Sequence, residues 1–180
     1  MPLLSIVIPA YNEEQRLGKT LSDTFAYLAA QDYTSEIIVV DDGSRDRTVE
    51  VANEFLTQAT AKTKLFVLKN PGNRGKGYAV KNGMLHASGE IHLFMDADLA
   101  TPLDQIPKVL TPILENQFDV VFGSRAVDQS VIKVEQSLLR RLRGRGGNLL
   151  IRLMTGMNIN DTQCGFKAFR RQASQTVFPL

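Results

Sequence analysis

Asp96-Ala97-Asp98 follows a short apolar run at 91–95 and stands just before Thr101-Pro102. Side chains of an extended chain repeat every second residue, so two aspartates separated by one residue can turn toward the same ligand. Their oxygens suit a hard divalent cation, Mg²⁺ or Mn²⁺. One or two carboxylates completed by substrate phosphates is the usual way a protein holds Mg²⁺. A cation bridging a diphosphate would stabilise a departing nucleotide. An isolated D-x-D is most often a solvated turn or cap. Here three further polar loops, from separate parts of the chain, also follow apolar runs.

The first is Pro9-Ala10-Tyr11-Asn12-Glu13. The second is Asp41-Asp42-Gly43-Ser44, where a carboxylate can accept hydrogen bonds from base N–H groups or ribose hydroxyls. Asp42 is the choice for that contact. A plain turn, with Ser44 or Asp46 capping the next helix, is a compatible reading. The third is Asn70-Pro71-Gly72-Asn73-Arg74-Gly75-Lys76, a glycine-rich loop opening a helix. Helix N-termini attract phosphate, and Arg74 and Lys76 add positive charge; a merely flexible loop is the alternative. The loop matches neither G-x-x-x-x-G-K-[ST] nor G-x-G-x-x-G after a first strand. His86 and His92 have no partner at metal-ligand spacing and are expected to be structural. G-x-S-x-G is absent, so the sequence gives no support for serine-nucleophile hydrolysis.

The elements that must position these loops alternate. Short β-rich runs at 4–9, 36–40, 65–68, 91–95 and 118–122 are separated by helical spacing at about 13–30, 46–57 and 76–87. Ser88-Gly89 is a helix stop signal, and Thr101-Pro102 is a helix start with Thr as N-cap. The alternation predicts an α/β domain with a mainly parallel sheet and helices on both faces. In such sheets ligands bind beyond the carboxyl ends of the strands, where all four loops fall. The 180 residues fit one domain: 1–123 as the sheet, and 124–180 as an addition with a basic helical segment broken by Gly144, Gly146 and Gly147.

Net charge is +2, but from Val131 to Arg152 there are six basic residues and one acid. That local +5 leaves −3 for the remainder, so one segment is built to meet something negative. The single cysteine, Cys164, allows no intrachain disulfide and is expected to be a small buried residue in a reducing compartment. The N-terminus lacks the basic region of a signal peptide, and no run approaches the ~18 apolar residues of a membrane span.

The four loops with their strands resemble the family-2 glycosyltransferases of GT-A fold. Ser5-Ile6-Val7-Ile8-Pro9-Ala10-Tyr11-Asn12-Glu13, Val39-Val40-Asp41-Asp42-Gly43-Ser44, Asn73-Arg74-Gly75-Lys76-Gly77 and Met95-Asp96-Ala97-Asp98 carry the likeness. Gly123-Ser124-Arg125-Ala126 and Asp161-Thr162-Gln163-Cys164-Gly165-Phe166-Lys167 are similar to the dolichyl-phosphate β-glucosyltransferases and their prokaryotic polyprenyl-phosphate relatives. The resemblance implies UDP-glucose as donor, a polyprenyl phosphate as acceptor and inversion to a β-linked product. It also implies relatives that continue past the last segment, so this chain is expected to be C-terminally shortened.

On that reading Pro9, Tyr11, Glu13 and Asp42 shape the nucleoside site, with Arg74 and Lys76 on the phosphate or ribose side. Asp96 and Asp98 hold the metal, and Asp98 is counted catalytic with Asp161 and Arg125. A phosphate acceptor is largely ionised at neutral pH, so it needs cations more than a base. Arg125, Arg140, Arg141 and Lys167 are the candidates. Asp161 is the candidate base or orienting carboxylate. The arginines interleave with leucines as in a segment lying on an anionic membrane, which implies peripheral contact at the cytoplasmic face; nucleic acid is not an expected partner. A sugar-hydroxyl acceptor, GDP-mannose as donor, or binding without turnover are the competing readings. A hydroxyl acceptor would make Asp161 indispensable.

Overall fold

The computed structural model of the chain describes residues 1–124 and 164–180. Six strands form one sheet: β1 (Leu4–Ala10), β2 (Ser35–Asp41), β3 (Thr63–Lys69), β4 (Ile91–Met95), β5 (Val120–Phe122) and β6 (Phe166–Arg170), in the order β3-β2-β1-β4-β6-β5. The β1–β2, β1–β4 and β2–β3 pairs are parallel. The helices are α1 (Leu17–Ala29), α2 (Thr48–Glu54), α3 (Lys76–His86), α4 (Ile106–Leu114) and α5 (Arg171–Val177). The expected α/β class with a mainly parallel sheet is therefore observed.

Every residue of β1, β2 and β4 is buried, as continuous apolar runs covered on both faces require. Val7, Ile38, Val40 and Phe94 pack with Ala79, Val80 and Met84 of α3. The alternating residues Ile6, Ile8, Ile37, Val39 and Leu93 point the other way and are equally buried. Helix α1 presents Leu17, Thr20, Leu21, Thr24, Phe25 and Leu28 to the interior, a stripe at helical spacing.

Several boundaries differ from the sequence reading, for local reasons. Helix α1 starts at Leu17 instead of about residue 13; a separate turn closed by the Leu17 N–H to Glu13 carbonyl bond precedes it, with the Glu13 and Glu14 N–H groups donating to Thr48 Oγ1 and Asp46 Oδ2. Thr101 caps nothing: Pro102 is extended, a 3-10 turn spans Leu103–Gln105, and α4 begins only at Ile106. Helix α3 ends where Ala87 turns extended, and Gly89 is no cap; its N–H donates to Ser5 Oγ at 2.8 Å. Phe118 is exposed, and β5 begins at Val120.

The larger difference is β6, which the sequence reading did not recognise as a strand. It runs antiparallel to β4, Met95 opposite Phe166 and Ile91 opposite Arg170. A strand of five residues carrying Lys167 and Arg170 gives little periodic signal. Its Phe166, Ala168 and Phe169 are buried, so residues 165–180 rejoin the sheet instead of continuing an addition after 123. The chain accordingly divides into one unit of Met1–Val121 with Gly165–Leu180 and a second of Phe122–Cys164. Cys164 is buried, as expected. The basic helical segment lies outside the described residues.

The edge of the sheet opposite the carboxyl ends holds a buried polar network. Glu36 accepts from Ser5 Oγ at 2.6 Å, from the Ser88 N–H at 2.6 Å and from Ser88 Oγ at 2.9 Å. His92, fully buried in β4, places Nε2 3.1 Å from the Gly89 carbonyl and Nδ1 2.8 Å from Ser174 Oγ. A carbonyl only accepts, so Nε2 carries the proton and Nδ1 accepts from the serine. Both histidines are indeed structural in their bonds: His86 Nδ1 pairs with the Asn82 carbonyl one turn back on α3.

Burial lowers the His92 pKa, and Arg171 lowers it further; the Gly89 bond and Glu36 act in the opposite direction without prevailing. A histidine kept neutral in the fold contributes stability that is complete above its unfolded value of about 6.5. That stability is lost as pH falls from there toward the lower folded value. Urea unfolding between pH 7.5 and 5 is expected to show this loss, with a slope of at most ~1.4 kcal/mol per pH unit from this group. His92→Gln should flatten it; the same slope in both proteins would contradict the assignment.

Candidate functional site

A cleft of about 310 Å³ opens at the carboxyl ends of β1, β2 and β4. The chain order places it at the switch point of the sheet: from β1 the strands run outward to β2 and β3, then cross to β4 on the other side. Its lining includes Pro9 near the end of β1, Tyr11 and Glu13 after it, Asp42 after β2, Lys76 at the start of α3, and Asp96 and Asp98 after β4. Seven of the expected site residues are thus brought together. Arg74 is not among the lining residues: its guanidinium lies over the Tyr78 ring, 5.1 Å from the centroid. Lys167 sits on β6 with its ammonium 5.6 Å from the Phe94 ring centroid. Arg125, Arg140, Arg141 and Asp161 lie outside the described residues.

The loops are fastened to one another by side chains. Asn12 and the second loop exchange two bonds, the Asn12 N–H to Ser44 Oγ and the Arg45 N–H to Asn12 Oδ1, each 2.9 Å. Asn12 adopts φ 54°, a conformation that asparagine tolerates better than most residues. Asp46 accepts from Thr48 Oγ1, the Thr48 N–H and the Glu14 N–H. Desolvation pushes its pKa up, but these bonds outweigh it and hold the carboxyl below its ordinary range. The compatible structural reading of the second loop therefore falls on Asp46 and Ser44 as loop ties.

Asp42 is almost wholly buried, and its carboxylate is engaged by the protein itself. Asn70 Nδ2 donates to Oδ1 at 2.7 Å, the Gly75 N–H to Oδ2 at 2.7 Å, and the Arg74 N–H to both at 3.1 Å. The anchor continues outward, since Asn82 Nδ2 donates to Asn70 Oδ1 at 2.8 Å. Asp42 borders the cleft, and its evident work is to hold the glycine-rich loop at the head of α3. Sequence reasoning placed Asn70 in this loop without giving it a role. Gly43 fits the same junction: at φ 77°, its missing Cβ would lie 2.6 Å from the Gly72 carbonyl carbon.

At the other wall, Lys76 Nζ forms an ion pair with Asp96 Oδ1. Gly165, just before β6, presses against the same carboxylate so closely that any Cβ there would overlap it. The Ala97 carbonyl accepts from the buried Thr20 Oγ1 at 2.6 Å, which ties the D-x-D turn to α1. Asp98 is exposed, with Oδ1 accepting from the Ala100 N–H at 3.0 Å. No group of three or more His, Cys, Asp or Glu is gathered for a metal among the described residues. The donor set at the D-x-D is two carboxylates open to the cleft. It fits a hard cation whose remaining positions are filled by phosphate and water, and not a closed protein cage.

The glycosyl transferase family 2 description matches residues 5–178. The chain is 39% identical to a dolichyl-phosphate beta-glucosyltransferase of Trichomonas vaginalis, over 97% of this chain and 55% of that protein. It is 36% identical to the human dolichyl-phosphate beta-glucosyltransferase, over 97% of this chain and 57% of that one. The chain thus spans about half the length of these curated relatives. Among solved structures it is similar to glucosyl-3-phosphoglycerate synthase of Mycobacterium tuberculosis in complex with Mn²⁺, UDP and glucosyl-3-phosphoglycerate. That match has a TM-score of 0.67 and 24% identity, covering 95% of this chain and 57% of the other. A mannosyltransferase of Pyrobaculum calidifontis in complex with GDP-Man and Mn²⁺ matches with a TM-score of 0.62 and 22% identity, over 95% and 45% of the two chains. The expected GT-A fold is the fold these structures share with this chain.

If Asp42 is the clamp on the glycine-rich loop, Asp42→Asn should release it. In either orientation the amide places a donor against the Arg74 N–H, and also against the Gly75 N–H or Asn70 Nδ2. A loss of about 1–3 kcal/mol in unfolding free energy is expected, with faster hydrogen exchange at Arg74 and Gly75. Unchanged protection of those two amides would show that the loop is held by something else.

Proposed function

The chain belongs to glycosyl transferase family 2, and on that premise we propose that it transfers glucose from UDP-glucose to a polyprenyl phosphate of the dolichyl type, with inversion. The carrying observation is the single cleft that collects Pro9, Tyr11, Glu13, Lys76, Asp96 and Asp98 at the switch point of the sheet. Identity with the glucosyltransferases over nearly the whole of this chain supports the choice of sugar and acceptor.

In this reading the uridine lies against Pro9, Tyr11 and Glu13, at the end of β1. The diphosphate lies between Lys76 and the D-x-D turn, where the ammonium attracts its negative charge. Asp96 and Asp98 would hold Mg²⁺ or Mn²⁺, which when bound supplies positive charge to the departing diphosphate. An oxygen of the acceptor phosphate attacks the anomeric carbon from the face opposite the diphosphate. The new C–O bond forms as the bond to the β-phosphate oxygen breaks, and UDP leaves with that electron pair. One displacement inverts the anomeric centre. The acceptor oxygen is already ionised, so this route requires no strong base; Arg125 and Lys167 are the cations proposed to orient it. Arg140 and Arg141, with the leucines between them, are proposed to meet an anionic membrane at its cytoplasmic face. No helix among the described residues is long and apolar enough to cross one.

Calorimetric titration with UDP-glucose and GDP-mannose, each with and without Mn²⁺, tests the donor. UDP-glucose is expected to bind better with Mn²⁺ and to lose most of that gain in Asp98→Asn. Preference for GDP-mannose would move the assignment to mannosyl transfer. With the donor established, radiolabelled glucose should pass to a short polyprenyl phosphate, and Asp161→Asn should retain part of that transfer. Complete loss in Asp161→Asn would favour a hydroxyl acceptor that needs a base.

A further inference from the structure

Asp96 is already occupied by a cation that belongs to the chain. Lys76 Nζ pairs with its Oδ1, and the backbone at Gly165 closes against the same carboxylate. The two ends of this lysine are held very differently. Its backbone follows Gly75, whose N–H is bonded to the buried Asp42, and it forms the first residue of α3. Its side chain is 56% exposed, while that of Asp96 is 29% exposed. The ammonium is therefore a mobile charge on a fixed base, able to leave Asp96 and stay in the cleft without any backbone change.

We propose that Lys76 is an exchangeable counter-ion for Asp96, which couples arrival of the divalent cation to arrival of the donor diphosphate. The idea rests on the donor-site reading given above. A divalent cation at Asp96 must displace the ammonium from the oxygen it holds and is repelled by it at short range. A diphosphate offers the ammonium a new partner in the same cleft. When Lys76 transfers to phosphate, Asp96 is released for the cation; without diphosphate, the lysine keeps the site shut. Coupling of this kind is reciprocal, so the cation tightens the nucleotide by the same factor as the nucleotide tightens the cation. The exchange also explains why a glycine stands at 165. The carboxylate is closed off on that side, so lysine and cation must share its open side.

Mn²⁺ binding followed by electron paramagnetic resonance, without nucleotide and then with UDP, separates the possibilities. The chain is compared with Lys76→Met and Lys76→Arg, and thermal melts verify that each is folded. In Lys76→Met, Mn²⁺ alone should bind about fivefold more tightly, the scale of one exposed ion pair removed. The factor by which UDP and Mn²⁺ strengthen one another should fall by about the same fivefold, to what direct contact between cation and phosphate supplies, while Lys76→Arg keeps it. If the parent chain binds Mn²⁺ and UDP cooperatively but Lys76→Met gains nothing for Mn²⁺ alone, the exchange is wrong and the donor site stands. If the parent chain binds neither, even together, the donor-site reading fails and the exchange falls with it.

Discussion

The buried carboxylate of Asp42 is the constraint on which the site depends. Asp42 stands just after β2, inside the parallel core, and accepts bonds from Asn70 and from the backbone of Arg74 and Gly75. A charge taken that far out of water is tolerable only when its oxygens are occupied, and here backbone N–H groups occupy most of them. The consequence lies one residue further along. With Gly75 fixed, α3 begins at Lys76, and that lysine reaches Asp96 at the end of β4. Strand β2 thereby positions a charge over β4, two strands away in the sheet.

From this anchor the cleft acquires two walls of unlike character. The wall after β1 is tied by neutral and charge-assisted bonds among Asn12, Ser44, Glu14, Asp46 and Thr48, and carries Tyr11 with its ring partly in solvent. The wall after β4 carries two carboxylates and one ammonium, none of them deeply buried. A ligand with a flat, hydrogen-bonding part at one end and a polyanion at the other suits that division. The opposite edge of the sheet is a buried polar network around Glu36 and His92.

Much of this was legible in the sequence, because continuous apolar runs and the polar residues that end them do not depend on distant contacts. Strands β1, β2 and β4 and helix α3 fall where the periodicity puts them, and Asp96 and Asp98 both border the cleft, from a turn and not from the extended chain that their spacing suggests. What stayed hidden depends on contacts made across the chain. The turn before α1 is tied to Asp46 and Thr48, over thirty residues away. Strand β6 exists because β4 offers an open edge, and five residues with two basic side chains do not announce that. The clamp function of Asp42 needs Asn70 and Gly75 in place before it can be seen, and Gly165 gains its meaning only from the nearness of Asp96.

The central claim is that one nucleotide sugar donor site is built from the ends of β1, β2 and β4 under the control of the Asp42 clamp. A crystal structure of the chain grown with UDP and Mn²⁺ tests it most directly. The account predicts the uracil and ribose against Pro9, Tyr11 and Glu13, and the diphosphate between Lys76 and Asp98 with Asp42 still bonded to Gly75. UDP bound elsewhere, or in this cleft with its phosphates turned away from the D-x-D turn, would contradict it.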